Sequence, residues 1–274
     1  MLDILKAALF GVVEGITEWL PISSTGHMIL LDEFVKLNCT ENFWNLFLVV
    51  IQLGAIAAVV LLYWDKIFPF QFHDKNIPVI DMDIILMWIK IVVACVPAAV
   101  VGLLFDDKID ELFYHPVPVA LALIIFGILF IVVETFNKGR HAKIRTLKEI
   151  TFTTAALIGG FQLLAAVFPG TSRSGATIIG ALLIGVSRTV AAEFTFFLAI
   201  PVMLGASLLK VFKYGLPTTG MEYAILIVGM AVAFVVSVII IKFLMSYIKK
   251  NDFKAFGWYR IVLGILVIAY FGLR

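Results

Sequence analysis

The stretch that decides the fold runs Glu14-Gly15-Ile16-Thr17-Glu18-Trp19-Leu20-Pro21-Ile22-Ser23-Ser24-Thr25-Gly26-His27. It is polar, broken by proline and glycine, and carries two carboxylates, yet apolar sequence flanks it on both sides. A second such stretch, Pro169-Gly170-Thr171-Ser172-Arg173-Ser174-Gly175-Ala176-Thr177, lies in the other half of the chain. Outward from these two, the 274 residues are 62% hydrophobic and 15% charged, where a soluble domain carries about a quarter charged, and mean hydropathy is +1.07. Lipid is the main solvent of such a chain.

Six apolar runs, at about 43–63, 84–104, 117–136, 190–210, 222–245 and 258–273, match the roughly 20 residues with which a helix crosses the hydrocarbon core. The stretches 1–37 and 149–187 are also apolar but interrupted near their middles. Irregular backbone at membrane depth survives only where protein or a water-filled cavity satisfies it, so both are read as re-entrant helical hairpins. The fold class is therefore an all-α polytopic membrane protein, residues 1–274 forming one membrane domain. The N-terminus has no basic leader, and Glu14 and Glu18 interrupt what would be a signal peptide's core, so it is expected to be retained. Cys39 and Cys95 suggest neither a disulfide framework nor a metal site. A net charge of +2 is too small and too scattered to imply nucleic acid, and no nucleic-acid partner is expected.

Basic residues orient the chain through the positive-inside rule. Lys138, Arg140, Lys143, Arg145 and Lys148, and then Lys249, Lys250 and Lys254, place their connections in the cytoplasm; the stretch with Asp106, Asp107, Asp110 and Glu111 reads as an outside loop. Each half is then one hairpin followed by three spans, an odd number, so halves at roughly 1–140 and 141–274 are expected to be inverted. Pro21-Ile22-Ser23-Ser24 against Pro169-Gly170-Thr171-Ser172, and Leu53-Gly54-Ala55 against Leu204-Gly205-Ala206, repeat at offsets of 148 and 151. Inverted repeats with broken helices place a polar site between the repeats near the midplane.

Glu14 and Glu18 stand four apart on one helical face. Buried together they cannot both be free anions: one keeps its proton, or a metal or an arginine lies between them. The alternative is a solvated pair at the interface. Proline followed by Ser23, Ser24 and Thr25 suits the start of a helix, which attracts anions. If helical, the segment brings Ser24, or Ser23, within reach of His27, the minimal pair for an activated nucleophile; the bland reading is a capped helix with a structural histidine. Around Arg173, small residues leave amides open, hydroxyls add donors and the guanidinium supplies a forked cation, a cradle for phosphate. Without an anion Arg173 needs another partner, and Glu14 or Glu18 could serve. Gln52, Gln162 and Glu193 are candidates to line the cavity. Lys90 and Glu134, near span ends, are expected to snorkel; metal ligation by His73, His115 or His141 is not expected.

Together, Glu14 to Glu18, Leu20 to His27 and Pro169 to Thr177 resemble the signature motifs of the bacterial undecaprenyl diphosphate phosphatases, the bacitracin-resistance family, over essentially the whole chain. Gln162 stands one residue farther from Pro169 than the family's spacing. The resemblance implies hydrolysis of a polyprenyl diphosphate to the monophosphate and inorganic phosphate at the outer face of the plasma membrane. That recycles the carrier for peptidoglycan and other wall polymers; bacitracin, which sequesters the diphosphate, would be resisted. It implies functional roles for Glu14, Glu18, Ser24, His27, Ser172, Arg173 and Thr177, and a divalent cation, Mg²⁺ or Ca²⁺, in support of activity; Glu14 and Glu18 are expected to hold that metal or to handle protons. It leaves a homodimer open.

The mechanism expected has Ser24, with His27 as base, attacking the terminal phosphorus, a phosphorylated His27 being the rival. Ser23, Thr25, Gly170, Thr171, Ser172, Ser174, Thr177 and Arg173 are the expected substrate contacts. The alternative function, a transporter or flippase of undecaprenyl phosphate, needs no nucleophile.

Overall fold

The computed structural model describes residues 1–70 and 79–272, without the side chains of Asp106, Asp107 and Asp110; His73 lies outside the described residues. Among the described residues, twelve helices follow in order: α1 (Leu2–Thr17), α2 (Ser24–Phe34), α3 (Glu41–Val50), α4 (Gln52–Leu62), α5 (Trp64–Ile67), α6 (Met82–Phe113), α7 (Pro116–Phe136), α8 (Phe152–Val167), α9 (Arg173–Ile184), α10 (Arg188–Tyr214), α11 (Gly220–Ile248) and α12 (Lys254–Gly272). Among the described residues the only β pairings are two isolated bridges, Phe70 with Ile80 and Ile144 with Val186.

Among the described residues, six segments are long and apolar enough to cross a membrane: α3 with α4 (Glu41–Leu62), α6 as far as Phe105, α7, α10, α11 and α12. They are the six expected runs. Local chemistry sets their starts. Thr40 and Ser187 accept from the amides of Phe43 and Val190, Thr219 forms a capping box with Glu222, and Pro116 opens α7. Each removes an orphan donor that lipid could not satisfy.

Two expectations fail. The acidic stretch read as a loop continues α6 to Phe113, since nothing between Gly102 and the His115-Pro116 pair stops a helix. Nor does Glu134 snorkel. It is 1% exposed, receives the Arg188 guanidinium at both oxygens (Nε to Oε1, 2.8 Å) and accepts from the Phe253 amide at 3.0 Å. The buried carboxylate ties the end of α7 to the starts of α10 and α12.

Helices approach closely where small residues meet, as between membrane helices generally. α1 packs on α11 and α8 packs on α6, so the broken element of each half lies on a span of the other, while α7 pairs with α12. A Cβ at Gly159 of α8 would sit 2.3 Å from the Ala94 carbonyl oxygen of α6. Gly159→Val is therefore expected to overpack this contact and destabilise by at least about 1–3 kcal/mol, read as a lower thermal midpoint of the purified protein. Gly205→Val, whose Cβ would meet nothing within 4 Å, should leave the midpoint unchanged.

Candidate active site

The polar stretches form the two breaks between α1 and α2 and between α8 and α9. In both, the residue before the second helix is a serine with positive φ, 73° at Ser23 and 70° at Ser172. Outside glycine, this backbone strain costs about 1–3 kcal/mol and persists at sites that use it. Each serine caps its helix, Ser23 Oγ accepting from the Gly26 amide at 3.4 Å and Ser172 Oγ from the Gly175 amide at 3.1 Å.

The first residues of α2 and α9 face one cavity of about 150 Å³, lined by Glu18, Ser24, Thr25, Gln52, Pro169, Gly170, Ser172 and Arg173, with Ala165, Val202, Met203 and Ala206. Two helix N-termini converging on one small space make an anion site from backbone alone. A polar relay crosses it. Ser24 Oγ donates to Glu18 Oε2 at 2.8 Å, Arg173 Nη2 donates to Glu18 Oε1 at 3.0 Å, and Arg173 Nη1 donates to the Thr195 carbonyl at 2.9 Å. Arg173 Nε has no partner. Of the two carboxylates that could have paired with Arg173, the partner is Glu18.

Other candidates lie behind this wall. Thr177 Oγ1 donates to the Arg173 carbonyl at 2.9 Å and bonds Thr195 at 2.9 Å; Ser174 Oγ donates to the Glu18 carbonyl at 3.2 Å. Thr171 and Ser23 are likewise buried. These four do not line the cavity; they fix its shape. Glu14 is buried with Oε1 unpartnered.

The anticipated Ser24 and His27 pair is not formed. His27 Nδ1 lies 2.7 Å from the Ser23 carbonyl, so it carries the proton and donates. Nε2 then accepts from the Tyr259 hydroxyl at 2.7 Å, the two rings stacked. The twisted Ser23 aims its carbonyl at this ring, and Ser24 turns to Glu18. Glu193 also lies elsewhere, paired with Lys66 at 2.8 Å.

Beside the cavity runs an apolar groove of about 390 Å³ between α6, α8 and α10, its floor made of Ala98, Ala99, Gly102, Ala165, Ala166, Gly205 and Ala206. Ala165, Arg173, Val202 and Ala206 line both spaces. Gln162 lines the groove.

Arg260 has no place in the sequence reading. From α12, 0% exposed, it donates from Nη1 to the Pro21 carbonyl at 3.2 Å and from Nη2 to the Gly170 and Thr171 carbonyls at 3.0 and 2.7 Å. One side chain thus holds both breaks. An ionisable residue inside an apolar run, third in the stretch 258–273, was the available signal.

As for a cation, the described residues contain no group of three or more His, Cys, Asp or Glu side chains. The free Glu14 oxygen, one turn from Glu18, fits a hard ion that takes its remaining ligands from phosphate and water, as Mg²⁺ does with phosphate substrates.

The family model described as bacitracin resistance protein BacA matches residues 7–266. Curated relatives named undecaprenyl-diphosphatase include those of Desulfitobacterium hafniense, 65% identical over 274 residues, covering 100% of this chain and 98% of the relative, and Enterococcus faecalis, 61% identical over 267 residues, 97% and 96%. That of Lactiplantibacillus plantarum is 53% identical over 276 residues, 100% and 99%.

Proposed function

The chain belongs to the bacitracin resistance protein BacA family, and from that premise we propose that it hydrolyses undecaprenyl diphosphate to undecaprenyl phosphate and inorganic phosphate at the outer face of the membrane. The observation that carries this reading is the Ser24, Glu18 and Arg173 relay, set where two helix N-termini meet beside an apolar groove. The groove takes the prenyl chain and the cavity takes the terminal phosphate. Loop charge supports an outside-facing site, reciprocal helix pairing supports inverted halves with re-entrant hairpins, and the activity would confer bacitracin resistance.

Ser24 Oγ attacks the terminal phosphorus. An O–P bond forms as the bridging P–O bond breaks, its electron pair leaving with the prenyl phosphate, and the serine proton passes to Glu18 Oε2. Arg173 and the N-terminal amides of α2 and α9 stabilise the charge spread over the transferring group, where most phosphoryl-transfer catalysis lies. Water then attacks the phosphoserine: its oxygen bonds phosphorus as the P–Oγ bond breaks, Glu18 returns its proton to Ser24 Oγ, and both water protons leave with the inorganic phosphate. Glu14 and Glu18 would hold a divalent cation, which neutralises diphosphate charge when bound.

The test is phosphate release from undecaprenyl diphosphate by purified protein in detergent, with and without a chelator. Chelation should slow release. Ser24→Ala should lose about 10³-fold or more in kcat, in keeping with nucleophile deletions elsewhere. His27→Ala should lose no more than about 10²-fold, through a loosened Ser23. Quenching in neutral denaturant should trap phosphate on Ser24 as an acid-stable ester; acid-labile phosphate on His27 would overturn the assignment, and no release by the intact protein would favour a transporter.

A further inference from the structure

Gln162 lines the groove, and the proposed reaction leaves its amide unused. It is buried, and neither its amide nitrogen nor its amide oxygen has a hydrogen-bond partner. A buried amide with neither end bonded is costly, and it lies in a mostly apolar space whose lining also includes Arg173 and Lys210. Its position follows Glu14 by 148 residues, the offset that also separates Pro21 from Pro169. In each half, then, the helix before the break carries a buried polar side chain with an unpartnered atom: Glu14 at Oε1, and Gln162 at both ends of its amide.

We propose that Gln162 binds the ester-side phosphate of the substrate, the one that leaves as prenyl phosphate. This rests on the reading of the groove and cavity given above. With the chain in the groove and the terminal phosphate in the cavity, the ester-side phosphate falls where the two spaces join, at Arg173. Gln162 lines only the groove side of that junction. Its Nε2 donates to a non-bridging oxygen, and its Oε1 accepts from a phosphate hydroxyl or water. An amide suits this place because it adds no charge to a group that becomes more anionic as it departs.

The assignment separates by ligand. Farnesyl phosphate probes the ester-side position and inorganic phosphate the terminal one, each measured by calorimetric binding to the intact protein and its variants. Gln162→Met, of similar length but apolar, should weaken farnesyl phosphate binding about tenfold or more, the worth of a hydrogen bond to a charged group, and leave inorganic phosphate binding unchanged. Its thermal midpoint should hold or rise, because no protein partner loses a bond; a structural hydrogen-bonder would lower it. Gln162→Glu keeps the shape and adds repulsion, so it should bind farnesyl phosphate more weakly still, and it carries the test if the Met variant misfolds. Undiminished farnesyl phosphate binding in either folded variant overturns the proposal, as does equal weakening of both ligands. These binding arms need no turnover, so failure of hydrolysis by the wild type would count against the proposed reaction separately.

Discussion

Replacing Arg173 with alanine is expected to reduce kcat for phosphate release by about 10³-fold or more, the scale on which an arginine supports phosphoryl transfer. The guanidinium is shared by both parts of the site. Nη2 orients Glu18, the proton acceptor for Ser24, Nη1 is anchored on the Thr195 carbonyl, and Nε is free to meet an anion. Loss of the side chain also strands Glu18, and breaking a buried ion pair costs about 3–5 kcal/mol, so the single variant alone confounds catalysis with folding. Combining Arg173→Ala with Glu18→Gln removes the stranded charge and should recover much of the thermal midpoint without recovering turnover. Arg173→Lys retains a cation but not the fork, and should fall between. Near-normal phosphate release from Arg173→Ala would sink the proposed role.

The spans were legible because each is a continuous apolar run bounded by a cap or proline, and lipid demands such runs. That the two polar stretches meet could be anticipated from their cost: a charged Arg173 inside an apolar half needs an anion, and the carboxylates were in the other half. What sequence could not supply was direction. Spacing allowed Ser24 to reach His27, but the positive φ of Ser23 turns its carbonyl onto the imidazole and leaves Ser24 to Glu18. Thr177 has the composition of a phosphate ligand yet bonds inward to Thr195, a residue 18 positions away whose proximity no motif encodes. Glu134 finds Arg188 for the same reason, across 54 residues.

The same blindness hid Arg260, for which the second large effect is expected: Arg260→Ala should fail to accumulate as folded protein. The side chain is a cation at membrane depth with no carboxylate on it; its donors go instead to carbonyls of Leu123, Pro21, Gly170 and Thr171, and Phe126 lies 5.9 Å from its charge. Three of those carbonyls sit where α1 and α8 have ended, at the negative poles of the two helices, while the positive poles of α2 and α9 face the cavity. Arg260 therefore neutralises one end of each broken helix as a bound phosphate would neutralise the other. Removing it orphans buried carbonyls at about 1–3 kcal/mol each, in sum comparable with the roughly 5–15 kcal/mol that holds a whole domain folded. It also opens a void under Gly175, where a Cβ would already meet Arg260 Nη1 at 3.0 Å. Arg260→Lys keeps the charge but has one nitrogen for carbonyls in three directions. It should fold with a lowered midpoint and turn over more slowly, because Ser24 and Arg173 then follow two less firmly held breaks. The check is size-exclusion yield, thermal midpoint and phosphate release for both variants. An Arg260→Ala protein with wild-type stability and turnover would show that the breaks hold themselves.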